Sequence, residues 1–186
     1  MQSTLAYLVG TLGEIYIGIC LLRILLQAVR ADYYNPFSQF IVKATAGPIR
    51  LLRPILPSVG RIDWAAIVWC LLAATLVLQL RNWAAGGGIV PITQLLTFGL
   101  FYSLFTFLRM LFFGAIIIVI LSWLVAFGGI RGSSPLADLL NQLMEPFLAP
   151  FRQLIPPIGG LDLSVIFFII VINLLQNGLG QLAAYF

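Results

Sequence analysis

Four stretches of this chain, residues 5–29, 64–85, 92–127 and 163–186, are each long and apolar enough to cross a bilayer, which takes a helix of about 20 apolar residues. Little surface chemistry is left over. Of 186 residues, 61% are hydrophobic and 9% charged, where a soluble domain carries about 25% charged residues. Ten basic and six acidic side chains cannot solvate a surface of this size, so lipid is the expected solvent for most of the chain. The first run is not read as a cleavable leader, because no basic residue precedes it and its apolar stretch is too long.

The third run is over-long. As one helix, 92–127 would measure about 54 Å, against a hydrocarbon layer of about 30 Å. Two short spans are one reading, but the middle near Arg109 offers no Pro, Gly pair or polar cluster for a turn. The preferred reading is one span over about 107–127, with 92–106 as an interfacial or steeply tilted extension. Four spans also sort the charges. Arg30, Lys43, Arg50, Arg53 and Arg61 fall between spans one and two, and Arg131 and Arg152 between spans three and four; only Arg81 lies near the other side. Basic residues are retained on the cytoplasmic face, so both long connections are expected there and both termini in the periplasm. Arg23 and Arg109 lie within spans, and Arg23 is near enough to the cytoplasmic end to snorkel.

The absences limit the chemistry. There is no His, and the two cysteines, Cys20 and Cys70, lie inside apolar runs. They read as buried thiols, since two ligands alone do not complete a zinc site. No catalytic, cofactor or metal site is expected. Neither is nucleic-acid binding, which needs a basic stripe on a polar domain.

An internal repeat carries more information. Adding 99 takes Pro36 to Pro135, Arg53 to Arg152, Pro57 to Pro156, Gly60 to Gly159 and Asp63 to Asp162. Each half, 1–88 and 89–186, then reads as span, polar connection, span. Each connection opens with an amphipathic pattern: Phe37, Phe40, Ile41 and Ala44 in the first copy, Leu136, Leu139, Leu140 and Leu143 in the second. Ser38, Gln39 and Lys43, or Asp138, Asn141 and Gln142, take the opposite face. Such a helix either lies in the membrane interface or is buried against the protein's own spans. Proline-rich stretches follow, 48–57 and 146–157, which are not expected to prolong the helices. A glycine turn then leads to Asp63 or Asp162, each placed to cap the next span.

The run Tyr34-Asn35-Pro36-Phe37-Ser38-Gln39-Phe40-Ile41-Val42-Lys43-Ala44-Thr45, the proline and arginine stretch after it, and the Gly-x-x-Asp before spans two and four resemble the bacterial YggT (YlmG) family. The resemblance covers essentially the whole chain. It implies a small multi-pass inner-membrane protein with two repeats, and relatives in cyanobacteria and plastids. It also implies loose association with cell division, nucleoid distribution, osmotic tolerance and plastid cytochrome maturation. The fold class expected is therefore all-α integral membrane, as two tandem repeats of span, amphipathic helix and span. The second copy lacks counterparts of Lys43 and Arg50, so a basic-surface role rests on the first.

Polar groups also occur at lipid depth, where an ionisable residue is a functional hypothesis. Counting from the cytoplasmic ends, Glu14, Gln79, Arg81, Arg109, Gln176 and Asn177 lie about 21–27 Å deep. Asn173 shares a helical face with Gln176 and Asn177. One reading is a water-accessible cavity with Glu14 paired to Arg109 or Arg81; the other is snorkelling arginines and helix-joining amides. Gly10 and Gly18 flank Glu14 and suit a close helix approach. The function expected is a non-enzymatic scaffold or assembly factor. Its cytoplasmic surface of Lys43, Arg50, Arg53, Arg61 and Arg152 would dock anionic lipid, another membrane protein or a second copy. The alternative is a small transporter, channel or ion-homeostasis component using the layer around Glu14 and Arg109.

Overall fold

The computed structural model describes residues 2–126, 134–154, 162 and 164–185. Its elements, in chain order, are α1 (Gln2–Val29), α2 (Pro36–Leu52), β1 (Ser58–Val59), β2 (Ile62–Asp63), α3 (Trp64–Ala84), α4 (Ile92–Ala126), α5 (Pro135–Leu154) and α6 (Ser164–Ala183). Four of these helices, α1, α3, α4 and α6, are long and apolar enough to cross a membrane. Of the repeat's landmarks, Pro156 and Gly159 lie outside the described residues, as does Arg131.

The third run is one unbroken helix of 35 residues. No helix boundary falls near residue 107, and the two-span alternative is excluded. Residues 92–106 form the first part of this same helix. A Cβ on Gly99 would come within 3.3 Å of the Thr75 backbone, midway along α3, so this part of α4 lies inside the bundle. A 35-residue helix is about 52 Å long. Even a tilt of about 40° would leave it spanning more than the ~30 Å hydrocarbon layer, so part of the helix would emerge from that layer.

The helices meet in buried apolar clusters. Ile17 and Cys20 on α1 face Cys70 and Ala74 on α3 in one buried cluster; both cysteines are free thiols. A second cluster joins Leu111, Ala115 and Ile118 of α4 to Leu148 of α5 and Val165, Phe168 and Ile172 of α6. In lipid, where apolar surface gains little by leaving solvent, van der Waals packing of this kind supplies association energy.

Three details depart from expectation. The chain is not wholly α-helical: Ser58 pairs with Asp63 and Val59 with Ile62 in a short antiparallel hairpin. Gly60 sits at the first turn position with φ +61°, the backbone that glycine adopts without strain. The prolines do not end the amphipathic helices. Pro48 lies inside α2, and Pro146 and Pro150 inside α5. Each removes one i to i−4 hydrogen bond, at about 3 kcal/mol. Ile49, just beyond Pro48, and Leu148, between Pro146 and Pro150, are fully buried, which offsets part of that cost.

Finally, the buried face of α2 is not the apolar stripe. Ser38, Ile41, Thr45 and Ile49 face the protein, whereas Phe37, Phe40, Ala44 and Leu51 form a second stripe that is exposed. In α5 the apolar positions do face inward, with Leu139, Leu143, Met144 and Leu148 buried. The two amphipathic helices thus resolve the open choice differently. Helix α5 is buried against the spans, and α2 is moored to them while keeping an apolar face free.

Candidate functional site: paired elbows and an intramembrane ion pair

Arg23 explains the orientation of α2. Rather than snorkelling, it is 8% exposed and donates from Nη1 to the Val42 carbonyl and to Thr45 Oγ1, both at 2.9 Å. Thr45 Oγ1 in turn donates to the Ile41 carbonyl at 2.8 Å. A buried polar atom is tolerable when it has a partner, and the guanidinium supplies one for Thr45. This side of α2 is therefore drawn onto α1, and the phenylalanines are left outside. Sequence reasoning placed Ser38 on the outward face and missed Arg23. The available signal was Ser38 and Thr45 spaced one face apart from the aromatics.

The two connections touch. Asn35 caps α2 by accepting from the Phe37 amide at 3.0 Å, and its Nδ2 donates to the Pro135 carbonyl at 2.6 Å. The Asp32 amide donates to Gln142 Oε1 at 2.9 Å. Beneath these bonds, Leu25, Leu26 and Ile41 pack with Leu139 and Leu143. Pro36 and Pro135, at the first turns of α2 and α5, therefore lie side by side at one end of the bundle.

Each connection carries an arginine–aspartate pair ten residues apart. Asp63 accepts from Arg53 Nη2 at 3.2 Å and from the Ala66 amide at 3.2 Å. Asp162 accepts from Arg152 Nε at 2.7 Å and from the Ser164 amide at 3.1 Å. Arg152 also pairs with Glu145. Burial opposes the charge on Asp162, but the hydrogen bonds from Ser164 and Arg152 and the guanidinium's charge outweigh it, holding the carboxyl below the ordinary carboxylate range. Burial lowers the Arg152 affinity for its proton, while Asp162 and Glu145 more than restore it. Two members of the expected docking surface, Arg53 and Arg152, are thus engaged in bracing the elbows. Lys43, Arg50 and Arg61 are exposed and make no ion pair among the described residues.

The intramembrane polar residues divide among separate tasks. Glu14 on α1 pairs with Arg109 on α4. Arg109 borders a groove of about 790 Å³ between α4 and α6, lined also by Phe105, Gln176, Asn177 and Gln181. Gln79 does not reach this groove: it is buried and ties down the loop after α3, donating to the Gly88 carbonyl and accepting from the Val90 amide, both at 3.1 Å. Asn173 bonds back to the Ile169 carbonyl of its own helix at 2.9 Å. The Arg81 side chain lies over Gly10. Gly18 has open space beside it, and Gly13 makes the close approach instead. Among the described residues no three His, Cys, Asp or Glu side chains cluster to hold a metal ion.

Four apolar helices, two touching elbows and a charge pair between spans define the class as a polytopic helical membrane protein. The comparisons agree on the family. The CCB3/YggT family model matches residues 2–84 and again 97–183. A Pseudomonas aeruginosa protein is 45% identical over 177 residues, covering 95% of this chain and 88% of its own. A Vibrio alginolyticus protein is 43% identical over 89% of this chain and 87% of its own. The YggT protein of Escherichia coli K12 is 32% identical over 97% of this chain and 91% of its own. No solved structure matches. The chain belongs to the CCB3/YggT family.

Proposed function

We propose that the protein is a non-enzymatic scaffold of the bacterial inner membrane, built from two tandem repeats with both elbows in the cytoplasm and both termini in the periplasm. In this reading the first elbow is the working surface, lying at the anionic leaflet and docking another membrane protein. The observation that carries it is the second face of α2. Phe37, Phe40 and Leu51 are exposed although α2 is already anchored, and Tyr34, Ile55, Val59 and Trp64 extend the exposed apolar surface along the same connection. Lys43, Arg50 and Arg61 add positive charge without a partner in the described chain. Each basic residue near an anionic leaflet contributes about 1 kcal/mol of attraction, and aromatic side chains favour the interface. Among its described residues the second elbow exposes only Leu136 and Leu154 of its large apolar side chains, consistent with a bracing role for α5.

A solute pathway using Glu14 and Arg109 has less support. Their charges neutralise each other, and the remaining polar residues of the layer are spread over the loop contact, the self-bond and the Gly10 contact described above.

The test is photo-crosslinking in living membranes from a reactive side chain placed at Phe40. The scaffold reading expects a discrete protein adduct, and expects the combined Lys43→Gln, Arg50→Gln and Arg61→Gln substitutions to remove most of it while insertion persists. Adducts with lipid alone, or a protein adduct indifferent to the three charges, would contradict it.

A further inference from the structure

Two buried polar atoms have no hydrogen-bond partner among the described residues, Arg23 Nε and Ser38 Oγ. Both residues line the same cavity. It has a volume of about 470 Å³ and lies between the end of α1, the start of α2 and the hairpin, with Gln27, Arg30, Tyr33 and Arg53 completing its polar wall. Arg23 is 8% and Ser38 2% exposed, so these donors are cut off from bulk water except through the cavity. Leaving a buried donor unmet costs about 1–3 kcal/mol, and more for a charged group. The charge is also unbalanced. Asp63 pairs with Arg53 and acts on Arg23 only from beyond ion-pair distance, and among the described residues neither Arg23 nor Arg30 makes an ion pair with a carboxylate.

Arg30 adds an independent observation. It is the residue that ends α1 in the left-handed conformation, φ 55°. The Ala31 amide reaches back to the Leu26 carbonyl at 3.0 Å, which makes this the helix terminus where glycine is ordinarily found. A non-glycine residue in that conformation costs roughly 1–2 kcal/mol. The position 99 residues on is Gly129. The same shift takes Arg23 to Ser122, Tyr33 to Gly132 and Ser38 to Ala137. Arg53 alone among the cavity's polar side chains is kept, as Arg152, and it serves the Asp pair. The cavity's donors are therefore not a requirement of the repeat; the first copy carries them in addition, one at a conformational cost.

We propose that this cavity binds a phosphate-bearing anion, either a phospholipid headgroup or a free phosphate compound. Guanidinium groups and a hydroxyl meet the several acceptor oxygens of a phosphate, and the ends of α1 and α2 place the cavity at headgroup depth. The site does not depend on the scaffold reading, since it uses neither Lys43, Arg50 nor Arg61.

Binding is measured on the purified full-length protein in detergent, with inorganic phosphate in one arm and phosphatidylglycerol against phosphatidylcholine in the other. Saturable binding of inorganic phosphate assigns a free anion; saturation by phosphatidylglycerol alone assigns a lipid headgroup; either supports the site. Ser38→Ala is expected to weaken the observed binding about tenfold, the value of one charge-assisted hydrogen bond. Arg30→Gly is expected to weaken it at least as much while raising the ligand-free unfolding midpoint, because glycine relieves the left-handed strain. A purely structural arginine would not give opposite signs. No saturable binding in either arm, or wild-type affinity in both variants, would overturn the proposal.

Discussion

Replacing Asp63 with alanine is expected to lower the unfolding free energy of the detergent-purified protein by about 2–4 kcal/mol. The cap on α3 accounts for about 1 kcal/mol of this. The remainder comes from the ion pair: the Asp63 carboxylate is 1% exposed, and breaking a buried pair costs about 3–5 kcal/mol, reduced here because the Arg53 side chain is half exposed. Asp63→Asn keeps an oxygen for the Ala66 amide and should lose about half as much. Asp162→Ala provides the internal comparison, since its carboxylate is 15% exposed against 1% for Asp63, and a smaller loss is expected. Chemical unfolding of the three variants side by side gives all these values.

Gly13→Ala should be the most damaging single methyl that the spans can receive. Its Cβ would lie 2.3 Å from Val77 Cγ1 and 2.7 Å from Cγ2, and a β-branched side chain has little freedom to move aside. Overpacking of this kind costs about 1–3 kcal/mol, and here it prises α1 from α3. Gly18→Ala has nothing within 4 Å and should be nearly silent. Adding Val77→Ala to Gly13→Ala should recover most of the loss, a coupling that separates a clash from a general effect on helix insertion. Thermal unfolding of the singles and the double measures it.

These two sites differ in how readable they were. Asp63 stands before an apolar run at the position of a cap, and its twin Asp162 repeats the placement, so sequence pattern alone pointed to both. Gly13 was not visible, because Gly10, Gly13 and Gly18 are equivalent in sequence until the crossing of α1 and α3 is known. The same limit applies to α2. Its apolar periodicity marked a helix but not the face that would be buried, because Arg23, 19 residues before Val42, reverses the preference by giving Thr45 and a backbone carbonyl a charged partner. The course of 92–126 was half legible: the absence of a breaker argued for one helix, but only the contact of Gly99 with Thr75 places its first half inside the bundle. Prolines within α2 and α5 were read as stops because their local cost is certain, whereas the compensating burial of Ile49 and Leu148 is a tertiary matter. Within the membrane layer, Glu14 had two possible partners by depth, and the helix arrangement selects Arg109 over Arg81.

The proposed topology puts two like-oriented repeats in the membrane with both elbows, which touch through Asn35 with Pro135 and Asp32 with Gln142, on its cytoplasmic side. Lys43 and Asn141 are exposed on the first and second elbow. Single cysteines at these positions, with Cys20 and Cys70 replaced by alanine, are to be treated with a membrane-impermeant maleimide in spheroplasts and in inverted inner-membrane vesicles. Labelling of both positions in inverted vesicles and of neither in spheroplasts is the predicted result; labelling of either one from the periplasmic face would contradict this topology.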